Sequence, residues 1–124
     1  MIIGIGTDMV EIERVRGVIH RNKRFLDRIL TVGELAFLPS SAERRAEYVA
    51  GRFAAKEAFA KAMGTGIGGS LSWKDLSVIA GEHGKPMILL QSRRFQEGEW
   101  TRRKIHVSIT HERSMALAFV IIEE

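Results

Sequence analysis

The chain has 124 residues, no cysteine, a formal charge of +4 and a pI near 9.9, and is 45% hydrophobic. That length predicts one domain, residues 1–124, able to bury a core without staples. Disulfides and thiolate metal sites are excluded, the histidines (His20, His83, His106, His111) show no zinc-ligand spacing, and no apolar run approaches the roughly 20 residues that span a bilayer. Residues Met1 to Gly6 carry no basic start or cleavage site, so a cytoplasmic protein is expected.

Residues 2–9 read as a strand, with Ile2, Ile3, Ile5 and Met9 apolar. Period-2 alternation puts Gly4, Gly6 and Asp8 on one face, so space opens beside a negative group. Thr7 or Asp8 also suits a helix N-cap. A helix is expected over Val10–Arg21, a short one over Lys23–Leu30 and another over Val32–Leu38, before Pro39. Ser40 or Ser41 then caps a long helix running to about Met63, which the glycine-rich stretch Gly64–Gly69 stops. That stretch offers backbone N–H groups to a phosphate, as a nest does, but lacks the Lys-Ser/Thr ending of a P-loop. Strands are expected at Asp75–Ala80 and Pro86–Gln91 around Gly81–Gly84, and at Ile105–Thr110 and Met115–Ile122 around His111–Ser114. Met115–Ile122 is apolar on both faces, so it should lie centrally or be covered by a helix or another subunit. The polar stretch Ser92–Thr101 has no assignable type, and Trp100 is its expected anchor.

The long helix is chemically unusual. At about 100° per residue, Val49, Ala50, Phe53, Ala54, Glu57, Ala60 and Lys61 share one side, so a carboxylate and an ammonium fall within an apolar stripe. An unpartnered charge there would be costly, and a metal ion or an anionic ligand removes the cost. The competing reading is a solvated Glu–Lys pair worth about 0.3–0.5 kcal/mol. Asp8, Glu57, Lys61 and His111 can converge. Two carboxylates distant in sequence are a minimal oxygen set for Mg²⁺, which also takes phosphate oxygens. Lysine neutralises phosphate charge, and histidine donates to phosphate or relays a proton. That set reads as metal-assisted phosphoryl-type transfer.

Basic residues cluster at Arg14–Arg28, Arg44–Lys61 and Arg93–Lys104, a pattern that favours polyanions. Only two tyrosine or tryptophan residues, Tyr48 and Trp100, lie in or beside these clusters, so a base-stacking platform is poorly supported. A basic RNA- or DNA-binding module and a small metal-dependent phosphohydrolase are the competing functions. The first leaves Asp8, Glu57 and the glycines unexplained. The second takes water as acceptor.

Three segments carry a resemblance. Gly4–Arg14, Phe53–Lys61 followed by Gly64–Ile67, and Val107–Glu112 closely resemble the holo-acyl-carrier-protein synthases, the small bacterial class of phosphopantetheinyl transferases. The resemblance runs over nearly the whole chain and is weakest at Gln91–Arg103. It implies an α+β fold in which a small antiparallel sheet packs against a long helix and shorter N-terminal helices. It implies Mg²⁺-dependent transfer of the phosphopantetheine arm of coenzyme A to a serine of apo-acyl carrier protein, releasing adenosine bisphosphate, in service of fatty-acid synthesis. Asp8 and Glu57 match the family's metal ligands, and Lys61 and His111 match residues near the coenzyme A phosphates. Arg44 and Arg52 match basic residues at the adenosine-side phosphate, Tyr48 an aromatic beside the nucleotide, and Gly64, Gly66 and Pro86 loop positions lining the cofactor. Glu57 or a metal-bound water is the candidate base. Gly4 and Gly6 would make room for metal and pyrophosphate. A homotrimer with sites between subunits is implied, with no membrane or nucleic-acid partner. Acyl carrier proteins are acidic helical bundles, so Arg14, Arg21, Arg24 and Arg28, with Phe25 as an apolar anchor, become the expected docking face.

Overall fold

The computed structural model describes residues 1–124 as an α+β fold. In chain order it runs β1 (Ile2–Glu11), α1 (Ile12–Arg21), α2 (Phe25–Ile29), α3 (Val32–Leu35), α4 (Ala42–Met63), β2 (Leu76–Ala80), β3 (Pro86–Leu90), β4 (Lys104–His111) and β5 (Met115–Glu123). Two antiparallel sheets result: a three-stranded one in the order β1-β5-β4, and the β2–β3 hairpin. The strand apolar on both faces, β5, is central in its sheet, with Ala116, Ala118 and Val120 buried on one face and Leu117 and Phe119 exposed on the other. The unassigned stretch after β3 forms two short 3-10 turns, Arg93–Phe95 and Gly98–Arg102, and Trp100 anchors it edge-on against Phe95 at 4.7 Å.

Helix α4 is the axis of the molecule. Ser41 caps its start by accepting a hydrogen bond from the Arg44 N–H, and Gly64 ends it at φ 82°, a conformation only glycine adopts readily. Ala46, Ala50, Ala54, Ala58 and Ala62 recur every four residues and are all buried. That flat stripe lets β1 lie directly on the helix backbone. A Cβ at Gly4 would stand 2.1 Å from the Ala62 carbonyl oxygen, and one at Gly6 1.9 Å from that of Ala58. The two glycines therefore bring strand and helix into contact. This corrects the expectation that they clear space for metal and pyrophosphate.

The other side of α4 packs Phe59 with Leu71, Leu76, Val78, Ile88 and Phe95, and its N-terminal half packs against α1 and α2 through Val15, Ile29, Leu30 and Val49. The helix is thus covered nearly all round, and the charge in its core is Lys56, fully buried, not Glu57. Strand β1 also runs two residues past the expected end. Asp8 pairs with Ala118 inside the ladder, and α1 starts after Glu11 with no side-chain cap from Thr7 or Asp8.

Candidate active site

Asp8 follows Gly4 and Gly6 on the helix-facing side of β1 and is thereby delivered to the C-terminal half of α4. Lys61 meets it there, donating from Nζ to Asp8 Oδ1 at 3.2 Å and to the Thr7 carbonyl at 2.9 Å. The Asp8 side chain is only 18% exposed, whereas that of Lys61 is 54% exposed. Glu57, one turn before Lys61, is half-buried. Burial pushes its carboxyl above the usual range, the Asp8 carboxylate pushes it further, and Lys61 opposes both. Two carboxylates and an ammonium therefore share one locus.

The donor set there is two hard oxygen ligands, with no third histidine, cysteine, aspartate or glutamate converging on them. Such a set fits Mg²⁺, which keeps waters and shares phosphate oxygens with its substrate. It does not fit structural zinc. Burial and the Asp8 carboxylate both disfavour the ionised Glu57 carboxyl, and a divalent cation held by the two carboxylates would offset both.

A groove of about 480 Å³ opens beside Glu57, lined also by Arg28, Gly68, Ser72, Trp73 and Lys74. Arg14, Arg21, Arg24 and Arg28 are all exposed, and Phe25 is half-buried with its ring 6.5 Å from that of Phe53. Arg28 thus joins the basic surface of α1 and α2 to the Glu57 groove.

The remaining expected site residues gather elsewhere. His111 ends β4 on the helix-facing side, with Nδ1 3.9 Å from Glu47 Oε2. Glu47 precedes Glu57 by ten residues, about 15 Å along a helix. Tyr48, Arg52 and exposed Arg44 belong to that distant half of α4. The Tyr48 hydroxyl donates to the Glu34 carbonyl at 2.6 Å, and its ring lies 3.9 Å under the Arg52 guanidinium. Burial raises the Tyr48 pKa while Arg52 lowers it. The Arg52 Nε is buried without a partner. Pro86 opens β3 in a groove with His106, Ser108 and Phe119, on the sheet face turned away from α4. One chain therefore assembles Asp8, Glu57 and Lys61, but does not bring His111, Arg44, Tyr48, Arg52 or Pro86 to them.

Gly64 and Gly66 follow α4 directly, at φ 82° and 72°. The N–H of Gly64 donates to Lys61, and those of Thr65 and Gly66 donate to the Ala60 carbonyl. These amides close the helix, so they are not the free phosphate donors that a nest would supply.

Two residues without an expected role stand out. Lys56 Nζ and Glu34 Oε1 form a fully buried ion pair at 2.7 Å. The Thr31–Glu34 capping box was visible in sequence as T-x-x-E. Nothing local indicated that its glutamate would reach α4.

Comparison with known proteins shows the family. The family model described as the 4'-phosphopantetheinyl transferase superfamily matches residues 4–120. The chain is 49% identical over 124 residues to the holo-[acyl-carrier-protein] synthase of Geobacillus kaustophilus, covering 99% of this chain and 90% of that protein. Among solved structures, the holo-(acyl-carrier-protein) synthase of Bacillus anthracis in complex with CoA (3',5'-ADP) aligns with a TM-score of 0.84 at 37% identity, covering 98% of this chain and 96% of that one. The Neisseria meningitidis holo-[acyl-carrier-protein] synthase aligns with a TM-score of 0.86 at 38% identity over the full length of both chains. The chain belongs to the 4'-phosphopantetheinyl transferase superfamily.

Proposed function

We infer that Asp8 and Glu57 hold a magnesium ion and that the site they begin is completed by a neighbouring copy of the chain. The reaction is that of the relatives: the phosphopantetheine of coenzyme A is transferred to a serine of apo-acyl carrier protein, for fatty-acid synthesis. The observation that carries the metal reading is the like-charge pair. Asp8, bonded to Lys61 at 3.2 Å, and half-buried Glu57, one turn before Lys61, face one locus that a single ammonium only partly neutralises.

The chemistry follows from charge. A bond forms between the serine oxygen and the pantetheine-side phosphorus as the pyrophosphate P–O bond breaks and adenosine bisphosphate departs. Bound magnesium would neutralise the pyrophosphate and orient the acceptor hydroxyl. Lys61 has three N–H donors, two of them held by Thr7 and Asp8, which leaves one for a phosphate oxygen where charge builds. With Glu57 holding the ion, the carboxylate oxygen it leaves free is the candidate acceptor of the serine proton. Exposed Arg14, Arg21, Arg24 and Arg28 attract the acidic carrier, and Arg28 leads to the groove beside Glu57.

Two observations support a homotrimer with sites between subunits. The phosphate-binding candidates Arg44, Tyr48, Pro86 and His111 lie away from the Asp8–Glu57 locus of their own chain, and the Arg52 guanidinium is stacked on the Tyr48 ring. The sheet face turned away from α4 also exposes Ile5, Met9, Leu117 and Phe119 side by side. A contiguous apolar face of that kind marks an interface. No helix is long and apolar enough to cross a membrane, and a cytoplasmic setting accompanies this reading.

The test is mass spectrometry of apo carrier protein incubated with the enzyme, coenzyme A and Mg²⁺. A gain of one phosphopantetheine arm is expected, with loss of that gain in Asp8→Asn and in Glu57→Gln. Undiminished transfer by either variant removes that residue from the metal site.

A further inference from the structure

The most deeply buried charges in the molecule have no part in the reaction just described. Lys56 Nζ uses all three donors: to the Ile29 carbonyl at 2.7 Å, to Glu34 Oε1 at 2.7 Å and to the Trp73 carbonyl at 2.9 Å. The Glu34 carboxylate is equally engaged. Its Oε1 also accepts from the Thr31 N–H at 2.9 Å and the Thr31 hydroxyl at 3.3 Å, and its Oε2 from the Val78 N–H at 2.7 Å. Thr31 Oγ1 is in turn 2.6 Å from Ser77 Oγ. This network ties α2, α3, β2 and the turn at Trp73 to a single point on α4.

That point has functional neighbours on both sides. Lys56 directly precedes Glu57, so fixing its direction fixes where Glu57 points around the helix axis. The Glu34 carbonyl, from the same residue, receives the Tyr48 hydroxyl, and the Tyr48 ring supports Arg52. The pair therefore touches both halves of the proposed site without touching substrate. A hydrophobic pair of similar volume would fill the same space. What apolar side chains lack is the directional hold on α4.

We propose that the buried Glu34–Lys56 pair is a positioning device that sets the rotation of α4, aiming Glu57 at Asp8 and seating Tyr48 beneath Arg52. It rests on the reading of Glu57 as a metal ligand for the first of these effects, and not for the second.

The test uses the full chain with Glu34→Leu and Lys56→Met combined, and separately with Thr31→Val, which removes only the hydroxyl contacts to Glu34 and Ser77. Mn²⁺ binding is read by electron paramagnetic resonance in the presence of coenzyme A, coenzyme A binding by calorimetry, and folding by thermal melting. For the double variant, a lowered melting temperature is expected, because the Ile29 and Trp73 carbonyls and the Thr31 and Val78 N–H groups lose their partners, and the molecules that fold should show both dissociation constants raised about 10- to 100-fold, as for other partners that orient ligands. Thr31→Val should move both constants the same way by less. A purely structural pair would lower the folded fraction and leave the constants of the folded molecules unchanged. Parental constants in a folded double variant overturn the proposal, and Thr31→Val decides if the double variant does not fold. Glu57→Gln, measured alongside, separates the two readings. If it binds Mn²⁺ normally, the magnesium reading falls and the positioning role is judged on coenzyme A affinity alone.

Discussion

Gly6 lies so close to Ala58 that a side chain at residue 6 would overlap the helix carbonyl, its Cβ only 1.9 Å from the oxygen. The contact sits two residues before Asp8 in the strand and one residue after Glu57 in the helix. Gly6→Ala must therefore push β1 off α4. We expect a loss of about 1–3 kcal/mol, the range for an overpacked core, measured by urea unfolding. Transfer activity should fall more than the folded fraction, because Asp8 moves with the strand. An alanine variant with parental stability and turnover would show that strand and helix can separate without consequence.

Glu57 makes the metal-free protein sensitive to pH. Its carboxyl titrates higher in the folded chain than in the unfolded one, through burial first and the Asp8 carboxylate second. Between the two values the native state holds more proton, so stability is greatest below the ordinary glutamate range near 4.3 and falls as pH rises through the raised native value. Unfolding in chelator over that window should show this decline, and Glu57→Gln should abolish its share. Added Mg²⁺ should reverse it, since the ion binds the ionised form. The same slope in parent and variant would assign the titration elsewhere.

Removing one half of the buried ion pair should be far worse than removing both. Glu34→Ala leaves the Lys56 ammonium in the core with two carbonyls and no counter-charge, and burial already pulls its pKa down against the pull of Glu34. About 3–5 kcal/mol of stability should be lost. Denaturant midpoints of Glu34→Ala beside the Glu34→Leu, Lys56→Met double variant check this. Equal midpoints would mean that water reaches Lys56 in the single variant.

The boundaries of α4 were legible because capping is local. Ser41 and Gly64 act within a turn, and their types declare the ends. Its orientation was not legible. Most of its apolar residues are alanines spread around the circumference, so periodicity marks no single core side. Glu57 was placed in the stripe while Lys56 took the core. The true extent of β1 was hidden for a related reason. Backbone pairing of Val10 and Glu11 with Ala116 and Met115 continues the ladder whatever their side chains. Asp8, Glu57 and Lys61 were recognisable as a set, but the exile of His111 and Pro86 follows from strand register, which no motif carries.

The separation of the two halves along α4 leads to a complementation experiment. Glu57→Gln damages the proposed metal half, and His111→Ala the proposed phosphate half, some ten helical residues away by way of Glu47. Each variant alone should be nearly inactive. If neighbouring copies build each site, mixing the two variants through dissociation and reassembly should restore about one quarter of the sites by random pairing in a closed ring. Ile5→Glu in both parents should prevent rescue, because it places a charge on the apolar sheet face that Ile5 exposes. Sedimentation should then show single chains in place of the proposed trimers. Mixed samples with no regained turnover, in material shown to have exchanged subunits, would mean that each chain completes its own site by a movement of β4.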